Sequence, residues 1–474
     1  MNQLTRIAPL LAILLLAACS TAPVLNAPAL TVPASFKEAS QPVTAADGTT
    51  WKSAQPAEAQ PRGQWWLAFH DPALNAMIGQ ATTANASLAG AAARVKQARA
   101  IAGIATSERS VQLGAGIGAQ RSRAPMEPQG TLYQASLSAS YEVDLFGRVA
   151  ADVNASQADA SASEATYRSV LLALQADVAQ TYFRIRATDA ELATLDKSVD
   201  LRLQSVKVNQ SRFDNGDIGE FDLVRAKTEL AAARAEAIGL QRQRVQLEHA
   251  LAVLLGQPAS NFGAPTSPLL EVALLPSIPA GLPSTLLERR PDITVAQRAM
   301  VASNARIGVA RAAMFPVLGL SAAGGGASDA LSNVLKWSGR SWVLGALMSM
   351  PIIDGGRNKA NVARSEAVLE ESSTAYRQNV LAAFAEVEDN LAGLRILAGQ
   401  SEQVDAGVVM ARRSADLAQK LYQAGRSSYL DLLDAQRNLA LVERSSAQLR
   451  GNQAVTTVAL IRSLGGGWDS GGSN

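Results

Sequence analysis

Few residues in this chain are suited to covalent chemistry. Cys19 is the only cysteine in 474 residues, and His70 and His249 are the only histidines. Isolated in this way, they form no cluster with zinc-site spacing. No phosphate-cradling GxxxxGKS or GxxxxGKT loop occurs, and no GxSxG nucleophile turn. Gly114, Gly116 and Gly118 alternate without the last glycine of a dinucleotide fingerprint and open no helix, while Gly324-Gly325-Gly326 reads as a turn or strand end. An enzyme, catalytic residues, a metal site and a bound cofactor therefore have no support. One thiol and a few carboxylates remain. Asp222, Asp431 and Asp434 fall in the first turns of helices that begin just after glycine turns. Carboxylates are favoured there by the helix macrodipole alone, so any further role needs separate grounds.

The thiol sits in an informative context. Asn2 to Arg6 carries one positive charge, Ile7 to Ala18 is apolar, and Leu16-Ala17-Ala18 precedes Cys19. Residues 1–18 have the layout of a secretory signal peptide, too short to span a bilayer. A lone cysteine forms no internal disulfide and elsewhere would read as a small buried hydrophobe. Here the pattern resembles a bacterial lipobox. That implies cleavage before Cys19 and acylation of its thiol and new amine, and several acyl chains satisfy the need for more than one anchor. Ser20 stands where lipoproteins retained at the inner membrane commonly carry aspartate, which points to the outer membrane.

The rest of the chain must supply the elements. Lys plus Arg is 43 against 41 Asp plus Glu, so no basic surplus argues for nucleic acid. No other apolar run reaches the length of a helical span, so a membrane crossing would have to use β-strands. Residues 20–61, rich in Pro, Ala, Thr and Ser, read as an extended tether within an N-terminal segment 19–72. Trp65-Trp66 opens the ordered part, and Asp71-Pro72 reads as a helix cap and first residue, with helix to about Ser107. Shifted by 209 residues, the chain then matches itself. Gly147-Arg148 falls on Gly356-Arg357, Phe213 and Gly216 on Tyr422 and Gly425, Asp222 on Asp431, and Leu255-Gly256 on Leu464-Gly465. This divides the chain into a first copy at 73–256, a Pro-rich linker at 257–292, a second copy at 293–465 and a tail at 466–474.

Each copy has the same order of elements. Segments 111–123 and 133–143, then 317–325 and 341–352, mix Gly, Ser and Ala with apolar residues. Leu137, Ala139, Tyr141 and Val143 alternate with Ser138, Ser140 and Glu142. The period and length suit a tilted membrane strand, and they also suit a strand on a soluble core. A long helix over about 150–214 follows, with Val178, Ile185, Leu192, Val199 and Val206 at heptad spacing. The next helix repeats the period in Ala226, Ala233, Leu240, Leu247 and Leu254, and copy two repeats both. Such spacing means coiled-coil packing. A helix of this length extends roughly 95 Å, which fits an elongated or hollow assembly better than a compact enzyme. Asn215-Gly216-Asp217 and Ala424-Gly425-Arg426 read as the tight turns of two helical hairpins.

Taken together, the stretches Trp65-Trp66 with Asp71-Pro72, Glu142 to Arg148, Gly281 to Ser284, Leu287 to Ile293, Ala312 to Pro316, Leu432 to Arg437 and Leu464 to Trp468 resemble the TolC-like outer-membrane efflux family, in its OprM/NodT-type lipoprotein branch. The resemblance implies a mixed α and β membrane protein: a homotrimer with four strands per chain closing a 12-stranded β-barrel, continued by a periplasmic α-helical coiled-coil barrel. It implies a passive duct served by a periplasmic adaptor and an inner-membrane pump of the resistance-nodulation-division (RND) type. By motif position, Asp431 and Asp434 would face the pore near a constriction, where three chains gather like charges that attract cations. Asp222, Tyr422 and Arg437 would hold the gate shut, and the tips Asn215, Gly216, Asp217, Ala424, Gly425 and Arg426 would dock the adaptor. Ser427 stands where the TolC branch has an arginine, which removes that particular lock. A protein-secretion duct and a non-conducting coiled-coil lipoprotein scaffold are the alternatives. The duplicated strand pairs speak against the scaffold. The lipobox reading has a direct check: labelled palmitate enters the wild-type protein and not Cys19→Ala, and equal labelling of both would contradict it.

Overall fold

The computed structural model describes residues 23–25, 33, 36–39, 63–123, 129–269, 276 and 289–466. Cys19, most of the tether, Gly281 to Glu288 and Trp468 lie outside the described residues. After a short 3-10 turn at Trp65–Phe69 come α1 (Pro72–Ala84), α2 (Ala86–Ser107), β1 (Gln112–Ser122), β2 (Gly130–Val143), α3 (Arg148–Asp214) and α4 (Glu220–Leu254). The second copy supplies α5 (Pro291–Ala312), β3 (Val317–Ser328), β4 (Arg340–Ser349), α6 (Arg357–Gln423) and α7 (Tyr429–Ser463). Both ends of α3 and α4 map onto both ends of α6 and α7 by the same shift of 209 residues. Among the described residues no helix is long and apolar enough to cross a membrane.

In space the chain forms two compact units, each drawing on both copies. The first includes 92–166 and 292–379 and holds one antiparallel sheet in the order β1-β2-β3-β4. Its register sorts side chains by chemistry. Ile117 pairs with Ala135 and Leu137 with Gly324, while Ala322 pairs with Leu344 and Leu318 with Met348, all on one face. The other face carries pairs such as Gly114 with Ser138, Gly116 with Ser136 and Ser321 with Gly345. On the apolar face Ile117 is 90% exposed and Leu344 72%, so among the described residues most of this face is uncovered.

The joints from strand to long helix are built alike. Asp144 accepts from the Val149 and Ala150 N–H groups at 3.2 and 2.7 Å, and Asp354 from those of Gly356 and Asn358 at 2.8 and 2.9 Å. These backbone donors hold the Asp354 carboxyl below the usual range. Arg148 forks onto Glu142 with two bonds of 2.8 Å, and Phe146 stacks on Phe315 at 4.8 Å.

The second unit spans 31–91, 167–291 and 380–474. Leu74, Ile78, Val178, Ile185, Leu251, Leu255 and Ile461 share its main core. Asp71 caps α1 through the Ala73 and Leu74 N–H groups and also takes Arg186 at 2.7 Å and the Tyr182 hydroxyl at 2.8 Å. The single helix expected to Ser107 is broken at Asn85, which is extended. Its side chain accepts from the Leu88 N–H and donates to the Leu254 carbonyl, so it caps α2 and terminates α4 at once. Gly256 makes the left-handed turn that ends α4, and the Ala84 carbonyl leaves no room there for a Cβ.

The heptad reading of α3 holds for Val178 and Ile185, and beyond them the buried stripe shifts by one residue, while Val206 still packs against the cluster of Tyr422, Tyr429, Leu432 and Leu433. Toward the tip the buried positions are Leu195, Ser198, Arg202, Ser205 and Asn209, with Val199 and Val206 only half-buried. The spacing of threes and fours is kept, but the stripe has turned by a step onto polar side chains.

Candidate gate at the hairpin tips

Both hairpins turn by the same local chemistry. Gly216 and Gly425 are left-handed, with φ of 79° and 68°. The Gly216 N–H donates to the Phe213 carbonyl and that of Asp217 to Arg212, and in copy two Gly425 and Arg426 do the same to Tyr422 and Leu421. All six expected tip residues, from Asn215 to Asp217 and from Ala424 to Arg426, are exposed.

The following helices start from identical backbone and different side chains. Gly219 and Ser428 both have φ −77° and ψ 161°. Ser428 builds a capping box: its Oγ accepts from the Asp431 N–H at 3.2 Å, and Asp431 Oδ2 accepts from the Ser428 N–H at 3.0 Å and hydroxyl at 2.8 Å. The serine hydroxyl, then its backbone N–H, hold the Asp431 carboxyl below the usual range. Gly219 has no side chain to offer, and Asp222, half-buried, receives no such bond. Asp434 is exposed one turn after Asp431 and makes no hydrogen bond among the described residues. Both carboxylates therefore face outward from one side of α7, with no cation of their own chain bonded to them.

Tyr422 and Arg437 are engaged within the protomer, though with residues the sequence reading did not single out. Tyr422 is buried, and its hydroxyl donates to Oδ1 of the fully buried Asn209 at 2.7 Å. The Arg212 guanidinium lies 4.6 Å over its ring, and the Tyr429 ring packs beside it at 5.9 Å. Burial raises the Tyr422 hydroxyl and pushes that of Tyr429 up to about 12. Arg437 forks onto Glu229 of α4 by two bonds, and Glu229 Oε2 also lies 4.0 Å from Arg202. Asp222 is near enough to bear on the Tyr422 hydroxyl, yet no hydrogen bond joins Asp222, Tyr422 and Arg437 to one another. The partners Asn209, Arg212 and Glu229 lie 208 to 213 residues from theirs, close to the repeat length. Opposite charges offset by the repeat period are the signal by which the Arg437 pair could be found, and Arg444 with Glu236 follows the same rule.

This end combines a small apolar cluster of Tyr422, Tyr429, Leu432 and Leu433 with several buried polar atoms that lack hydrogen-bond partners. Arg202 Nε, Asn209 Nδ2, Ser427 Oγ, the Tyr429 hydroxyl and Gln436 Oε1 are buried with no hydrogen-bond partner among the described residues, so five of the nine such atoms described fall here. Among the described residues no group of Asp, Glu, His and Cys is arranged to hold a metal.

Comparison with known proteins agrees with this geometry. The sequence profile described as outer membrane efflux protein matches residues 77–257 and 282–466. The chain is 34% identical to the solvent efflux pump outer membrane protein SrpC of Pseudomonas putida, over 97% of this chain and 98% of that one. It is 31% identical to the cation efflux system protein CusC of Escherichia coli, over 98% and 99%. The solved outer-membrane channel OprN superimposes with a TM-score of 0.85 at 28% identity, covering 95% of this chain and all of that one. Removing the Tyr422 hydroxyl strands Asn209 in the interior, so Tyr422→Phe should destabilise the protein by about 1–2 kcal/mol. A thermal unfolding midpoint equal to wild type would show that the bond contributes nothing.

Proposed function

The chain belongs to the outer membrane efflux protein family, and from that membership we propose that it is the gated exit duct of a tripartite pump, with its gate at the carboxylates of α7. Solved relatives are named as outer-membrane or transmembrane channels; in the assembly proposed for this chain, three copies set their four-stranded sheets edge to edge in one 12-stranded barrel, continued by helices through the periplasm. In this assembly the duct is passive: an inner-membrane pump, of the RND type, supplies energy, and a periplasmic adaptor couples the two by seating on the exposed tips around Gly216 and Gly425. Acyl chains on Cys19 add an anchor to the barrel. The named cargoes of relatives differ, from solvent to cation, which fits a conduit that leaves selection to the pump. Drugs and other toxic small molecules are the cargo class proposed here.

The observation that carries the gate is the asymmetry between copies. The backbone at Gly219 and Ser428 is the same, but α7 presents two outward carboxylates one turn apart, at Asp431 and Asp434, where α4 carries the half-buried Asp222 and Arg225. Threefold assembly gathers six of them. With Asp431 held ionised by Ser428, such a ring attracts cations and repels itself, so divalent ions would close it and their loss would loosen it. Arg437 on Glu229 and Tyr422 on Asn209 then act as ties within each protomer that keep α7 in its closed position.

Single-channel recording tests this reading. Wild type should show small conductance, reduced further by divalent cations. Asp431→Ala with Asp434→Ala should conduct severalfold more and lose the divalent response. Identical conductance and identical divalent response in both proteins would remove the acidic ring from the gate.

A further inference from the structure

Two arginines stand where the duct has no use for them. Along β1 the apolar row Leu113, Ile117 ends in Arg121, and along β4 the row Leu344, Trp342 ends in Arg340. The register puts Arg121 opposite Thr131 and Arg340 opposite Gly326, on the face that carries the exposed apolar side chains. In a closed barrel this is the face toward lipid. Both arginines lie at the margin farthest from the joints to α3 and α6, hence at the outer surface of the membrane.

β1 and β4 are also the two strands whose outer edges are unpaired among the described residues. Barrel closure sets β4 of one protomer against β1 of the next, so each of the three seams gathers Arg121 of one chain and Arg340 of its neighbour at one margin. Arg123 and Lys336, both exposed, stand in the adjoining connections. The carboxylates in these two connections are Asp329 and, in the sequence, Glu127, which leaves a basic excess. The connection between β3 and β4 is seated on the sheet: Val334 is buried, and its carbonyl leaves no room for a Cβ on Gly326. It presents Trp337, 82% exposed, with the Arg340 guanidinium 4.8 Å over the ring and a bond from Arg340 to the Leu335 carbonyl at 3.3 Å.

An arginine that ends a lipid-facing row is costly in hydrocarbon and favourable where it reaches an anion in the headgroup layer. A guanidinium fork suits phosphate oxygens, and an exposed tryptophan beside it suits the boundary between headgroup and acyl chain. We propose that each barrel seam binds a phosphate-bearing glycolipid of the outer leaflet, its phosphate held by Arg121 and Arg340 of neighbouring protomers and flanked by Lys336 and Trp337. The site depends on barrel closure and not on the gate.

The test uses the full-length trimer in detergent, titrated with fluorescent lipopolysaccharide and with the same lipid stripped of its phosphates. Wild type should bind the phosphorylated lipid saturably and the stripped lipid at least about tenfold more weakly. At about fivefold per cation, Arg121→Gln with Arg340→Gln should weaken binding roughly 25-fold and Lys336→Gln about fivefold. Lys336 lies outside the strand ladder, so its variant remains informative if the double variant fails to trimerise on a gel. Equal binding of stripped and phosphorylated lipid, or wild-type affinity in Lys336→Gln and in any double variant that trimerises, would overturn the proposal.

Discussion

The rest of the structure depends on two sheet edges that are left unpaired among the described residues. β1 and β4 each present a row of backbone N–H and C=O groups outward, and both faces of the sheet are largely uncovered. In water such an edge is an invitation to aggregate. In a bilayer each unpaired group costs several kcal/mol, a sum no side-chain contact offsets. Only closure removes it, and a four-stranded sheet is too small to close on itself. Copies of the chain must supply the missing strands, and the division of the sheet into a Gly/Ser face and an apolar face then gives a wet lumen and a lipid surface. Threefold assembly in turn places three identical pairs of hairpins around one axis.

Duplication supplies two hairpins per chain with the same backbone, and divergence makes one of them different. The glycine turns at Gly216 and Gly425 have the same bonds, and the helices beyond start with the same dihedral angles. The differences are in side chains: Ser428 for Gly219, Tyr422 for Phe213. Around them the buried stripe of α3 changes from Val178 and Ile185 to Ser198, Arg202, Ser205 and Asn209. A seam lined by polar side chains and several atoms without hydrogen-bond partners leans on fewer apolar side chains than the core around Leu74 and Ile185 does.

Much of this is legible in the sequence because the physics is local or periodic. The repeat, the glycine turns and the alternating strands each follow from residue types at fixed spacing. The break at Asn85 is hidden because an asparagine inside a helical pattern signals a cap only once Leu254 is known to end beside it. The turn of the buried stripe in α3 is hidden for a related reason: both Val206 and Ser205 satisfy the heptad to within one residue, and the neighbouring helices decide between them. The ties at Asn209 and Glu229 join copies side by side, so they appear in the sequence only as charges and polar groups offset by about one repeat. The seam arginines come to light only with the strand register, which assigns them to the lipid face.

Hydrogen exchange of the full-length protein in a membrane-mimicking detergent tests the central claim most directly. If the edges close between protomers, the backbone amides of β1 and β4 exchange as slowly as those of β2 and β3. Fast exchange on the outer edges of β1 and β4, with β2 and β3 protected, would mean an open four-stranded sheet and would contradict the trimeric barrel on which the duct, its gate and its lipid seams all rest.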